Sequence, residues 1–135
     1  MTSGIDEPAP DGALVADVFD KDCPSRKTME HIGGKWGLLA VAALRERPLR
    51  FNALCRRVSG VSEKMMSQTL QRLERDGMVH REVRQAIPPH VEYELTPLGR
   101  KVSGHLAALI GLLEDNFDAI KAAQAEYDER SGEGR

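Results

Sequence analysis

Ser62-Glu63-Lys64-Met65-Met66-Ser67-Gln68-Thr69-Leu70-Gln71-Arg72-Leu73-Glu74-Arg75, closed by Asp76-Gly77, decides how the rest of the chain reads. Met66, Leu70 and Leu73 recur at i, i+4 and i+7, the spacing of one helix face. Lys64, Gln68, Gln71 and Arg75 fall on the opposite face, with Ser67 and Arg72 flanking them. Ser62 supplies a capping hydroxyl and Asp76-Gly77 a stop. One side of this helix can dock on a core. The other carries the residue types that hydrogen-bond phosphates and base edges in a DNA major groove.

Working outward from it, Asn52 to Val58 reads as a short helix and Ser59-Gly60-Val61 as the turn, giving a helix-turn-helix. Downstream, Met78 to Arg84 alternates apolar and polar residues, Gln85 to His90 with Pro88-Pro89 is a loop, and Val91 to Leu95 alternates again. That pair makes a hairpin, the wing. Upstream, Ser25 is an expected N-cap, with Met29 and Ile32 on one edge, and Gly33-Gly34 supplies a left-handed stop. Lys35 to Leu44 is apolar almost all round and belongs at the centre of the fold; Pro48 ends it, and Leu49-Arg50-Phe51 can make a brief strand.

Thr96-Pro97 opens a final helix, with a capping hydroxyl followed by proline at the first helical position. Its stripe, Leu98, Val102, Leu106, Leu109, Ile110, Leu113, Phe117, Ile120 and Tyr127, is longer than a small winged domain can cover. Leu106, Leu109, Ile110, Leu113, Phe117 and Ile120 are therefore expected to meet the same helix of a second copy. The fold class is mainly α with a small β-wing (α+β). Its expected divisions are a flexible acidic extension over 1–22, the winged helix-turn-helix over 23–96, a long dimerisation helix over 97–128 and a disordered tail over 129–135.

The 135 residues suit one domain with a modest core. No apolar run approaches the roughly 18 residues of a membrane span, and the N-terminus has no secretory pattern; a cytoplasmic location is expected. The formal net charge of −2 conceals a partition: residues 1–22 carry −5, residues 111–135 carry −4, and residues 23–110 carry +7. A basic middle is the electrostatic footprint of a phosphate-binding surface. Paired catalytic carboxylates, a nucleophile elbow and a phosphate-cradling glycine loop are all missing from the sequence. The four histidines, His31, His80, His90 and His105, lie far apart. No enzyme activity, cofactor or metal site is expected.

Cys23-Pro24, Ile32-Gly33-Gly34-Lys35-Trp36, Arg50-Phe51-Asn52, the Ser62–Gly77 helix, Pro88-Pro89-His90-Val91-Glu92-Tyr93 and Leu95-Thr96-Pro97-Leu98-Gly99 occur in order. Together they resemble the HxlR-type transcription regulators, within the wider MarR-like winged-helix group, over about residues 23–115. The resemblance implies a homodimer on double-stranded DNA at a palindromic operator. It puts the Ser62–Arg75 helix in each major groove and the wing on the flanking backbone. It also implies, for several members, a response to thiol-reactive oxidants through the cysteine at the position of Cys23; a repressor rather than an activator is expected. Two departures are Ala53, where an acidic residue is common, and the long N-terminal extension.

The candidate DNA contacts are Ser62, Lys64, Ser67, Gln68, Gln71 and Arg72 on the helix, with Arg50, Arg81, Arg84 and His90 in or beside the wing. Arg56 and Arg57 are backbone candidates. Gln68 and Gln71 suit base edges, because an amide can bond adenine in two places; wing cations suit phosphate. The alternative for each is a solvated surface residue. For Cys23, neighbouring Lys21, Arg26, Lys27 and a helix start favour a reactive thiolate; Asp20 and Asp22 oppose it, and a packed apolar thiol is the alternative. Cys55 reads as a core thiol, although a bridge from Cys23 to Cys55 of a second subunit remains open. Trp36 reads as core, or as the wall of a small-molecule effector pocket near the dimer interface. A winged module that binds an acidic protein partner is the rival to a DNA-binding regulator.

Overall fold

The computed structural model describes residues 16–133, so most of the expected acidic extension lies outside the described residues. Its described part makes local turn hydrogen bonds. The Asp20 N–H donates to the Asp17 carbonyl at 2.9 Å, and Asp17 and Asp20 carboxylates accept from the N–H groups of Phe19 and Asp22 at 3.0 and 2.8 Å. Helices α1 (Pro24–Gly33) and α2 (Lys35–Glu46) lead to strand β1 (Leu49–Arg50). Helix α3 (Phe51–Arg57), helix α4 (Glu63–Arg75), and strands β2 (Val79–Arg84) and β3 (His90–Leu95) follow. Helices α5 (Pro97–Asp115) and α6 (Phe117–Glu133) close the chain. The three strands form an antiparallel sheet in the order β1-β3-β2. A short three-stranded sheet behind a helix-turn-helix is a winged helix.

α2 is the hub, as its all-round apolar sequence requires. Ala40, Val41 and Leu44 are buried beside Leu54 of α3, beside Met66, Leu70 and Leu73 of α4, and beside Val79 and Leu95 of the sheet. One helix start and one helix end differ from the sequence reading. Pro24, not Ser25, begins α1, with Cys23 as the N-cap residue; proline's fixed φ and missing N–H suit the first helical position, which leaves Ser25 inside the helix. Neither Gly33 nor Gly34 is left-handed. Gly34 is extended, at φ −65° and ψ 153°, and serves both as the end of α1 and as the cap of α2. The left-handed glycines among the described residues are Gly60, in the turn between α3 and α4, and Gly77, after α4.

The glycine on which the α1–α2 pair depends is Gly37, where a Cβ would fall onto the backbone carbonyl of His31. Gly99 plays the same part at the start of α5, against the carbonyl of Met78. There Thr96 is a double anchor. Its hydroxyl oxygen accepts from the Gly99 N–H at 2.9 Å and its O–H donates to the Gly77 carbonyl at 2.5 Å.

The expected single C-terminal helix is two. Asn116 leaves helical geometry, at φ −111° and ψ 23°. Its side-chain amide donates back to the Leu112 carbonyl at 2.8 Å, while its own carbonyl accepts the first bond of α6 from the Ile120 N–H at 3.0 Å. A short amide side chain that competes for backbone partners breaks the run, which apolar spacing alone cannot reveal. α6 continues helical to Glu133, into the segment read as a tail.

Candidate nucleic-acid interface

α4 carries out the division of labour written in its sequence. The Ser62 hydroxyl accepts from the Met65 N–H at 3.1 Å and caps the helix, and Met66, Thr69, Leu70 and Leu73 are buried. Lys64, Gln71, Arg72 and Arg75 are exposed, and Ser67 and Gln68 are half-buried beside them. None of the side chains of Lys64, Gln68, Gln71, Arg72 and Arg75 has a hydrogen-bond or ion-pair partner among the described residues. The result is an outward row of unused donors on a helix fixed from behind. At its C-terminal end, Asp76 caps α4, and its Oδ2 accepts from His31 Nδ1 of α1 at 2.6 Å. The Asp76 side chain is nearly buried, so this bond pins the end of α4 to the N-terminal helix. Trp36 lies under the other end, beside Gly60 of the turn, with the Lys35 ammonium 4.5 Å from its ring.

The wing cations are placed differently. Strand register puts Arg50, His80, Glu82, Arg84, His90, Glu92 and Glu94 on one sheet face, with Arg81 on the other beside Tyr93. Arg84 Nε donates to Glu92 at 3.2 Å, His90 Nε2 lies 2.9 Å from the same carboxylate, and Arg50 donates to His90 Nδ1 at 3.2 Å. Hydrogen bonds from His90 and then Arg84 hold the Glu92 carboxyl below the usual carboxylate range. Two of the four wing candidates thus share one acidic partner, Arg50 reaches it only through His90, and Arg81 stands apart. Arg57, a backbone candidate, is likewise engaged: it donates to both oxygens of Glu46, at 3.4 and 3.1 Å, which lowers Glu46 and raises Arg57.

Two features escaped sequence reasoning. Ile87 at the wing tip is wholly exposed, and the Gln85–Pro89 loop gave no sign that an apolar group would lead it. Strand register also brings His80 and Glu82 of β2 together with Glu94 of β3, their ligand atoms all within 4.8 Å. Glu94 is remote from the other two in sequence, and only the pairing of β2 with β3 places it beside them.

Of the apolar stripe, Leu106 packs on the chain's own core and Ile110 lines a groove. Leu109, Leu113 and Phe117 are exposed, Ile120 is half-buried, and Leu112, outside the expected set, is 60% exposed. The groove, about 720 Å³, runs between α2, the end of α3 and α5, over Leu39, Ala42, Val58, Ala107 and Ile110. Trp36 is not among its lining residues.

Cys23 and Cys55 are free thiols; Cys23 is buried and Cys55 half-buried. Burial, with Glu63 adding to it, pushes the Cys55 thiol up. Among the described residues no helix is long and apolar enough to cross a membrane.

A winged helix-turn-helix with a capped, core-docked helix presenting unpaired donors defines the class of helix-turn-helix DNA-binding regulators. The chain belongs to the HxlR-like helix-turn-helix family, whose model matches residues 31–121. It is 47% identical over 109 residues to the HTH-type transcriptional regulator YtfH of Escherichia coli K12, covering 81% of this chain and 86% of that one. The solved transcriptional regulator ytfH of Salmonella typhimurium is 45% identical, with a TM-score of 0.74, covering 81% of this chain and 97% of that one. The redox regulator HypR in its oxidised form is 36% identical, with a TM-score of 0.63, covering 70% and 97%. Its reduced form is 34% identical, with a TM-score of 0.65, covering 73% and 98%. This protein is a helix-turn-helix transcriptional regulator.

Proposed function

We propose that the protein acts as a homodimer that binds a palindromic operator in double-stranded DNA and represses transcription there. The observation that carries the reading is the row of unpaired donors at Lys64, Gln68, Gln71, Arg72 and Arg75 on a helix whose opposite face is buried. A helix that served only to complete a core would leave its outer cations free to pair with neighbours, as Arg57 and Arg84 do. α4 enters the major groove. Gln68 and Gln71 read base edges, Ser67 and Ser62 assist, and Lys64 and Arg72 reach phosphate or guanine. Arg81, being unengaged, is the first wing contact to phosphate; Arg84 and His90 reach DNA only by giving up Glu92, and Arg50 by giving up His90.

Binding to DNA flanking its own gene should fall steeply with salt and give a footprint with two-fold symmetry. Gln68→Ala should lose about 1–3 kcal/mol at one base position and relax preference there alone. Equal loss on operator and random DNA would make Gln68 a phosphate contact, and no DNA binding at low salt would leave the protein-partner module as the better reading.

The signal is a thiol oxidant acting at Cys23. Cys23 is the N-cap residue of α1, the helix that His31 ties to the end of α4, so a change there has a short route to the DNA-reading helix. HypR, solved in oxidised and reduced forms, lends support. An oxidant can act only by binding or modifying the DNA-competent and incompetent states unequally. Diamide is expected to change operator affinity in the native protein and in Cys55→Ser, but not in Cys23→Ser. A response that survives Cys23→Ser would dispose of the assignment.

A further inference from the structure

We propose that His80, Glu82 and Glu94 form a binding site for one borderline transition-metal dication of the zinc class on the outer face of the wing. The juxtaposition is made by register. His80 and Glu82 stand two apart on β2 and share a face, and Glu94 is the cross-strand partner of His80. Their ligand atoms all lie within 4.8 Å of one another, with His80 Nε2 2.7 Å from Glu82 Oε1. Donors around a tetrahedral zinc stand about 3–3.5 Å apart, given metal–ligand bonds of about 2.0–2.2 Å. The three side chains are partly exposed, and the spacing has to close by only about 1–2 Å.

Charge supplies a second, independent reason. On the same face Arg84, His90 and Arg50 gather around Glu92, toward the tip and the β1 edge. At the base of the wing, Glu82 and Glu94 have only the His80 imidazole between them. Glu82 also faces Glu92 directly across the strands, a like-charge pairing that costs stability. Among the described residues no Lys or Arg forms an ion pair with Glu82 or Glu94. With a neutral imidazole the trio carries two negative charges, which one dication neutralises.

One imidazole nitrogen with two carboxylate oxygens suits zinc, cobalt or nickel over magnesium or calcium, which take oxygen alone. The remaining coordination positions face solvent and take water. A bound ion would join β2 to β3 where the hairpin leaves the core.

The full-length protein, titrated with zinc chloride under reducing conditions, should bind one equivalent per chain at this site. Affinity should fall by at least about tenfold in His80→Asn and in Glu94→Gln, in line with the losses seen when metal-site partners are removed. Zinc should raise the melting temperature of the native chain and not of either variant. Both positions are at the surface, and circular dichroism checks that the variants fold. Cobalt(II) separates this site from the two thiols, since nitrogen and oxygen ligation gives d–d bands without a thiolate-to-cobalt charge-transfer band. Saturable binding that both variants retain, a thiolate band, or no saturable binding at all would each overturn the proposal.

Discussion

A Leu113→Asp, Phe117→Asp double variant is expected to sediment as a monomer and to lose at least about 100-fold in operator affinity. Linking two half-site contacts in one dimer multiplies affinity by about 10²–10⁴ without any new contact, and a monomer forfeits that factor. The choice of residues rests on exposure. Leu113 and Phe117 are 49% and 58% exposed in the single chain, and neither belongs to its core. Aspartate at both should therefore leave the winged domain folded and act on the interface alone. The apolar surface needing cover is wider than these two, since Leu109, Leu112 and Tyr127 are exposed as well. α6 also gains little from its own chain: nearly every residue along it is exposed. A helix that packs on so little is marginal in water, and a second copy is the simplest cover. Analytical ultracentrifugation and fluorescence anisotropy on the same samples give the two readouts. A native protein that is monomeric at micromolar concentration, or a double variant that stays dimeric, would remove the dimer interface from this face.

Gly37→Ala should lower the melting temperature by on the order of 10 °C at fixed protein concentration, a net loss of about 2 kcal/mol. Two effects compete. Alanine in a helix interior is favoured over glycine by about 0.5–1 kcal/mol. Against this, the added methyl meets the His31 carbonyl, with its carbonyl carbon and the Ile32 Cα close behind. These are backbone atoms of a neighbouring helix and cannot swing aside as a side chain could, so overpacking of about 3 kcal/mol wins. The separation of α1 from α2 would also strain the His31–Asp76 bond and loosen the end of α4. Operator affinity should therefore fall even below the melting transition. Gly33→Ala is the control. Nothing lies within 4 Å of a Cβ there, and the change should be neutral or slightly stabilising. A Gly37→Ala protein as stable as the native one would mean that α1 can move away without penalty.

Much of the architecture was legible in the sequence because it rests on local periodicity. The stripe of Met66, Leu70 and Leu73, the Ser62 cap, the alternation in β2 and β3 and the Thr96-Pro97 start are one-dimensional signals, and each produced its element within a residue or two. Signals that required competition between local preferences were misjudged. Ser25 offered a cap, but Pro24 took the first helical position and left Cys23 as the N-cap residue. Gly33-Gly34 carried the expected composition of a left-handed stop, yet the chain crosses there in an extended conformation. Asn116 broke a helix through its side-chain amide, in the middle of an unbroken apolar stripe.

The candidate interface divided along the same line. The outward row on α4 follows from helical spacing and the burial of the opposite face, so its members were identifiable by residue type and position. The wing was not, because membership of a sheet face is local but pairing across strands is not. Only the register of β2 on β3 and of β1 on β3 brings Arg84 and His90 to one carboxylate, sets Arg50 against His90 and leaves Arg81 on the other side.

By itself, then, the sequence determined the winged helix-turn-helix, the reading face of α4 and the presence of more apolar surface than one small domain can hide, because all three are written in spacing along the chain. Tertiary structure alone decided which cations are spoken for, which glycine holds two helices together and which histidine meets two glutamates. Those outcomes depend on distances between segments that are remote in sequence, and such distances exist only after the backbone has packed.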